Sequence, residues 1–422
     1  MQVFKFGGAS VKDAAAVKNV AEVLQKQANK PTVVVVSAMG KTTNQLEELV
    51  KAYFYKTGKC SEELEKVKHY HAEILKSLFQ NSNHEVYEKV NNAFVELNWI
   101  IEEEPGGFYN KEYDQIVCMG EIISTIIVSA YLEEVGIANK WLDVRGVLQT
   151  DNTYREGKVN YELSSELVKK NLIPELEKEK IIVTQGFIGG TSENFTTTLG
   201  REGSDYTAAL LAYFCDAESV TIWKDVEGVL NADPKWFKNT KKIDELSYYD
   251  AIELTYYGAT VIHPKTIKPL QNKNIPLFVK SFLNPEKSGT TIHDGGKRLP
   301  IPGYIFKVDQ LLISIQPKDF SFIAEDNLSR IFDLFAKFGV KIHLMQNSAI
   351  NFSVCTDNET IKTKPLIEEL KKDFKVLYNE GVELLTIRNY DQETINKLTV
   401  QKTVLLEFKS RNTAQLVLSN IS

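Results

Sequence analysis

Thr32–Val36 reads TVVVV, and no other stretch narrows the fold as far. Four successive valines show no polar alternation, so the strand they form must bury both faces. Strands of that kind sit in parallel sheets with helices on either side. The remaining chain agrees: residues 3–6, 141–143, 181–184, 219–223 and 275–280 read as strands, with helical spacing between most of them. The expected fold is α/β, a three-layer αβα domain around a mainly parallel sheet. Ligands in such sheets lie beyond the carboxyl ends of the strands, so the polar loops that follow them are where chemistry is to be sought.

At 422 residues the chain is long enough for two or three domains. A net charge of −6 gives no ground for a nucleic-acid or anionic-membrane partner. Cys60, Cys118, Cys215 and Cys355 lie far apart, without metal-ligand spacing, and read as thiols of a reducing cytoplasm. Strand-like residues begin directly after Met1, which argues against a signal peptide, and no apolar run is expected to approach the roughly 20 residues of a membrane span. The expected location is therefore cytoplasmic.

The densest cluster of signals lies in residues 199–234. Gly200, Arg201 and Gly203 make a loose loop around a cation, and Ser204-Asp205 is expected to cap an Ala-rich helix. A strand follows, then a loop punctuated by Asp225, Gly228 and Asp233. Free helix N–H groups beside an arginine suit a phosphate or carboxylate, although a capped helix after a glycine loop is equally ordinary. Near the N-terminus, Lys5, Gly7, Gly8 and Ser10 join a strand to a helix with neither GxxxxGK[ST] nor GxGxxG. The TVVVV strand runs into Ser37, Thr43 and Asn44. Glu121 stands among apolar neighbours on a helix, so it must be paired or meet a ligand cation. His69 and His71 would not share a helix face, and no metal site is expected.

A boundary is expected at residues 297–303, where Pro300, Pro302 and Gly303 cluster. Beyond it the pattern becomes βαββαβ, a ferredoxin-like unit, followed by a second copy whose last helix is missing or very short, so that it is either incomplete or shared with the first. The domains expected are residues 1–297, 303–380 and 381–422.

Six stretches then occur in order: KFGGAS (5–10), VVVVSAMGKTTN (33–44), MGEIIST (119–125), LGREGSDYTAALLA (199–212), IWKDVEGVLNADP (222–234) and YYGATVIHPKTI (256–267). Together they resemble the aspartate kinases, amino-acid kinases with C-terminal ACT-type regulatory domains, over nearly the whole chain. The resemblance implies ATP-dependent phosphorylation of L-aspartate to 4-phospho-L-aspartate, with Mg²⁺ carried mainly by the nucleotide phosphates. It assigns Lys5, Gly7, Gly8 and Asp205 to the transferred phosphoryl group. It assigns Ser37, Thr43, Glu121, Arg201 and Ser204 to the amino acid, with Glu121 on its ammonium and Arg201 on its α-carboxylate. Ser10, Lys224, Asp225, Gly228, Asp233 and Lys235 fall on the nucleotide side. Feedback by lysine or threonine through Asn327, His343, Met345 and Gln346, and a homodimer formed through the ACT strands, are further implications.

The chain departs from that family at Ala9, Lys224, Lys235 and Thr260, and has His343 where lysine-sensing members often carry an acid. Two rival readings follow: another amino-acid kinase acting on glutamate or acetylglutamate, and an amino-acid sensor without turnover.

Overall fold

The valines of Thr32–Val36 are fully buried in the centre of a sheet, as their unbroken apolar run requires. A computed structural model of the chain describes residues 1–257, 262–296, 301–319 and 321–420. It forms two units. The first comprises Met1–Val229, Lys242–Ile252 and Val261–Arg298, the second Leu230–Lys241, Glu253–Thr260 and Leu299–Ser422.

The first unit holds strands β1 (Gln2–Phe6), β2 (Thr32–Val36), β3 (Lys140–Leu142), β4 (Ile181–Gln185), β5 (Ile188–Gly190), β6 (Thr196–Thr198), β7 (Ser219–Lys224), β8 (Glu245–Ser247), β9 (Leu277–Ser281) and β10 (Thr290–His293). Eight of them make one sheet in the order β3-β4-β2-β1-β7-β9-β10-β8, in which only the β9–β10 pairing is antiparallel. The short β5–β6 hairpin stands apart. Helices α1 (Ala14–Gln27), α2 (Thr42–Phe54), α3 (Cys60–Leu78), α4 (Glu85–Glu102), α5 (Tyr109–Val117) and α6 (Met119–Glu134) precede β3. Later come α7 (Tyr161–Leu167), α8 (Ile173–Glu179), α9 (Gly203–Phe214), α10 (Tyr248–Tyr256, whose end belongs to the second unit) and α11 (Pro264–Asn272).

One expectation about apolar runs is corrected. Tyr109–Glu134 has the length and apolar composition of a membrane-crossing helix, yet 89% of its most apolar window is buried inside the fold. It is a core helix: α6 is buried nearly all round because it packs on β2, β3 and β4 while α1 and α4 cover it.

In the second unit β11 (Gly303–Pro317), α12 (Glu325–Lys337), β12 (Ile342–Asn347), β13 (Phe352–Asp357), α13 (Thr360–Asp373) and β14 (Phe374–Arg388) follow the expected βαββαβ order. Helix α14 (Gln392–Leu398) and strands β15 (Lys402–Lys409) and β16 (Thr413–Asn420) complete it. All six strands belong to one antiparallel sheet, β12-β13-β11-β14-β16-β15, and not to two successive ones. The expected division at residues 380 and 381 falls inside β14. The reason is that β11 and β14, 15 residues each, pair along their whole lengths across an irregularity between Lys307 and Leu312. The near end of β11 lends Tyr304 and Phe306 to a core with Leu385, Ile387 and Leu416, while its far end lends Ile313 and Ile315 to another with Ile331, Phe335 and Leu370. Phe237 stacks on Tyr304 at 5.3 Å, which places residues 230–241 in this unit, away from the segment expected to hold them.

The expected 297–300 stretch of the boundary, and Thr260, lie outside the described residues. Within the first unit, Gly8 allows two loops to touch: a Cβ added there would lie 2.8 Å from the Gly40 carbonyl oxygen and 2.9 Å from that of Ala38. Neither backbone atom can swing aside. Gly8→Ala is expected to destabilise the protein by about 1–3 kcal/mol, the usual effect of overpacking. Urea denaturation measures it, and an unchanged midpoint would show that the loops have room.

Candidate active site

The site begins with strand register. β1 lies between β2 and β7, with Phe6 level with Val36 on one side and Trp223 on the other, and Gln185 of β4 level with Val36 beyond. Four parallel strands therefore end together, and their loops emerge side by side. Backbone hydrogen bonds stitch them: Ser37 N donates to Phe6 O, Gly186 N to Val36 O and Gly40 N to Gly8 O, each at 3.0 Å. A cleft of about 510 Å³ opens between these loops and the start of α9.

At one end of the cleft Lys5 Nζ lies 2.6 Å from Asp205 Oδ1, with the two side chains 11% and 4% exposed. Lys224 Nζ stands 4.0 Å from the other carboxylate oxygen. A Cβ on Gly7 would come within 3.2 Å of Lys5 Nζ, so the glycine backbone runs against the ammonium. Two cations around one buried carboxylate leave a net positive end, suited to a phosphoryl group.

Asp205 reaches Lys5 because the helix starts earlier than the sequence suggests. The N-cap of α9 is Glu202, in a left-handed conformation with φ 54°, so Ser204 and Asp205 lie inside the first turn and cap nothing. Ser204 is held by Gly186, where an added Cβ would meet the serine Cβ at 2.4 Å. Backbone closeness, more than capping chemistry, sets this helix end.

The cleft also contains Glu121, Ser37, Thr43 and Arg201. Gly120 lets the start of α6 approach Ala38, Leu46 and Thr42, which brings Glu121 against the loop after β2. Ala38 N donates to Glu121 Oε1 at 3.2 Å, and Oε2 is buried with no hydrogen-bond partner. Burial pushes this carboxyl up to about 8, against the smaller opposing effects of the Ala38 N–H and Lys5. Arg201 is exposed and forms no ion pair among the described residues. An acid poised to ionise and a free guanidinium in one cleft can receive the ammonium and carboxylate of an amino acid.

Six further residues line the cleft that the sequence did not single out: Glu47, Tyr113, Arg155, Phe187, Thr198 and Glu202. Tyr113 donates its hydroxyl to Glu47 Oε1 at 2.6 Å, and Phe187 follows the carboxyl end of β4 with φ 69°. Position after a strand was the available signal for Phe187. Tyr113, Arg155 and Thr198 carry none: Tyr113 precedes Asp114 on α5, and Asp114 gathers Arg155 and Thr198 from separate segments. Asp114 is fully buried and accepts from Arg155 N (2.8 Å), Thr198 N (2.9 Å) and Thr198 Oγ1 (2.7 Å). Burial still pushes it up to about 6.

Several expected site residues fall elsewhere. Ser10 is buried behind the Gly7-Gly8 turn, and Gly8 serves the contact with Gly40. Gly228, at φ 146°, packs on Thr290, whose hydroxyl accepts from Val229 N at 2.8 Å, which puts it at a loop junction outside the cleft lining. Asp225 lies on an exposed bend next to Lys224. Asp233 and Lys235 belong to the second unit, where the Asp233 carboxylate accepts from Lys235 N at 2.8 Å in a local turn. Of the expected effector residues, Met345 and Gln346 are exposed on the edge strand β12, and Asn327 donates to Phe322 O at 3.2 Å. His343 turns inward to Asp357 at 2.8 Å, while burial and nearby Lys307 hold its imidazole below the usual range.

Comparison with known proteins bears on this arrangement. Residues 1–281 match the family described as the amino acid kinase family. The lysine-sensitive aspartokinase 3 of Escherichia coli is 30% identical over 398 residues, covering 92% of this chain and 87% of that protein. The crystal structure of E. coli aspartokinase III with aspartate and ADP, in its R-state, aligns with a TM-score of 0.83 at 27% identity, over 99% of this chain and 96% of that one. The T-state structure of the same enzyme with lysine and aspartate aligns equally well, over 99% and 95%.

Glu121 makes a prediction that needs no ligand. Its folded pKa lies above the ordinary carboxyl value of 4.5, so the stability it contributes is present below that value and lost as pH rises through about 8. Glu121→Gln cannot titrate. Its melting temperature relative to the unmutated protein is expected to climb between pH 5 and pH 8 and then level off. A pH-independent difference would contradict the burial argument.

Proposed function

The chain belongs to the amino acid kinase family, and from that premise we propose that it phosphorylates the side-chain carboxylate of L-aspartate with ATP, giving 4-phospho-L-aspartate and ADP. The observation that carries the substrate is Glu121: a fully buried carboxyl, one oxygen unpartnered, sharing a cleft with an unpaired arginine and a Lys–Asp–Lys cluster. The substrate ammonium would meet Glu121, its α-carboxylate Arg201, and its β-carboxylate would point towards Lys5. Aspartokinase III, similar over nearly the whole chain, binds aspartate and ADP.

The reacting carboxylate is ionised at neutral pH, so no general base is required. One of its oxygens attacks the γ-phosphorus in line, the bond from that phosphorus to the bridging oxygen breaks, and ADP leaves with the electron pair. What the protein must supply is positive charge where the phosphoryl oxygens gain negative charge. Lys5 is placed for that by its bond to Asp205, and Lys224 adds a second cation. A Mg²⁺ would be brought largely by the nucleotide phosphates, with Asp205 as the carboxylate within reach. Bound there, the ion would neutralise phosphate charge. Ser10, Asp225, Gly228, Asp233 and Lys235 remain nucleotide-side candidates from sequence resemblance alone.

The regulatory part of the proposal is feedback by an end-product amino acid through ACT-type domains in the antiparallel sheet, which would also form a homodimer. Lysine is favoured over threonine because the lysine-sensitive E. coli enzyme and its lysine-bound structure are similar to this chain. A reducing cytoplasm suits the four free thiols.

The test is ADP release by the purified protein with Mg-ATP and L-aspartate, L-glutamate or N-acetylglutamate. Aspartate-dependent release is expected, and lysine should lower it. Release with glutamate alone, or amino-acid binding without turnover, would overturn the reading, the latter in favour of a sensor. Lys5→Ala should lower kcat about a hundredfold or more, equivalent to about 2.7 kcal/mol for a lost oxyanion-type donor. Unchanged turnover in that variant would remove Lys5 from the reaction.

A further inference from the structure

Arg155 occupies the cleft under constraints that its own loop does not explain. Its backbone has φ 68°, a left-handed conformation that suits glycine and disfavours a long side chain. Buried Asp114 forms no ion pair among the described residues; its carboxylate instead takes the Arg155 N–H at 2.8 Å together with the two donors of Thr198. The guanidinium carbon lies 4.2 Å from the ring centroid of Tyr113, which packs on the cation. Arg155 makes no close ion pair among the described residues, and its charge acts only weakly on buried Asp114, against the larger upward push of burial there. The Arg155 backbone is also pressed against the residue before Arg201: a Cβ on Gly200, itself at φ 74°, would sit 3.2 Å from the Arg155 carbonyl oxygen. Two arginines outside any close ion pair among the described residues thus border one cleft, carried by loops in backbone contact.

We propose that Arg155 is a specificity-determining residue that joins Arg201 in binding the α-carboxylate of the amino-acid substrate, with Asp114 as the positioning residue that holds it in its left-handed conformation. The assignment rests on the reading of the reaction as aspartate phosphorylation. A single carboxylate can take N–H edges from two guanidinium groups, one on each oxygen, so the second arginine adds selectivity for a free α-carboxylate as well as affinity. The phosphoryl end remains the work of Lys5 and Lys224.

The test is steady-state kinetics of Arg155→Gly, with KM measured separately for aspartate and Mg-ATP. Glycine adopts φ 68° without strain, so this variant should melt at or above the unmutated temperature while lacking the cation. Its aspartate KM should rise about tenfold or more, about 1.4 kcal/mol of binding per factor of ten, with kcat and the Mg-ATP KM within twofold of their starting values. Arg155→Lys should recover part of the lost affinity. An unchanged aspartate KM would overturn the proposal. So would a rise in Mg-ATP KM, which would place Arg155 on the nucleotide, or a fall in kcat, which would place it on the reacting carboxylate. A wild-type protein without aspartate-dependent ADP release would fail the reaction itself, a result distinguishable from unaffected kinetics in the variant.

Discussion

The ion pair between Lys5 and Asp205 is the contact on which the first unit depends. Both side chains are almost out of water, and a charge in that position needs a partner: without Asp205 the Lys5 ammonium would be buried and uncompensated, and without Lys5 the carboxylate would keep only Lys224, at 4.0 Å. The pair joins the central strand β1 to the first turn of α9. It can form only if β1 lies between β2 and β7 in the observed register and if α9 begins at Gly203. The same requirement aligns the strand ends, and the aligned strand ends are what open the cleft. Stability and phosphoryl chemistry therefore draw on one interaction.

Two buried acids show how the fold separates scaffold from site. Asp114 and Glu121 sit on consecutive helices, and burial raises both. Asp114 takes three N–H and O–H donors and rises to about 6; Glu121 takes one, keeps an oxygen unpartnered and rises to about 8. The satisfied acid closes loops together. The unsatisfied one is left with an electrostatic demand that a ligand ammonium can meet.

The second unit follows a different constraint. Two strands long enough to cross the whole sheet make its two halves share a backbone, and the aromatic cluster of Phe237, Tyr304 and Phe306 draws in a segment from much earlier in the chain. Arg388, buried and 3.0 Å from Glu253, holds residues at the end of α10 in the same unit.

Local pattern by itself determined the β-branched strand, the glycine turn after Lys5, the helix carrying an out-of-place Glu121 and the βαββαβ order, because each follows from the periodicity or chemistry of neighbouring residues. Resemblance of motifs, and not local pattern, grouped Asp205 with Lys5 at the phosphoryl end, and the structure sets the two 2.6 Å apart. Tertiary structure alone decided that Glu202, and not Ser204, is the N-cap of α9, that Gly228 packs at a loop junction, and that Tyr113, Arg155 and Thr198 reach the cleft. It also decided that β11 serves both halves of one sheet. These outcomes depend on backbones approaching closely and on one buried carboxylate collecting donors from distant segments. Such contacts are set by distances between elements, and a linear pattern of residue types does not contain those distances.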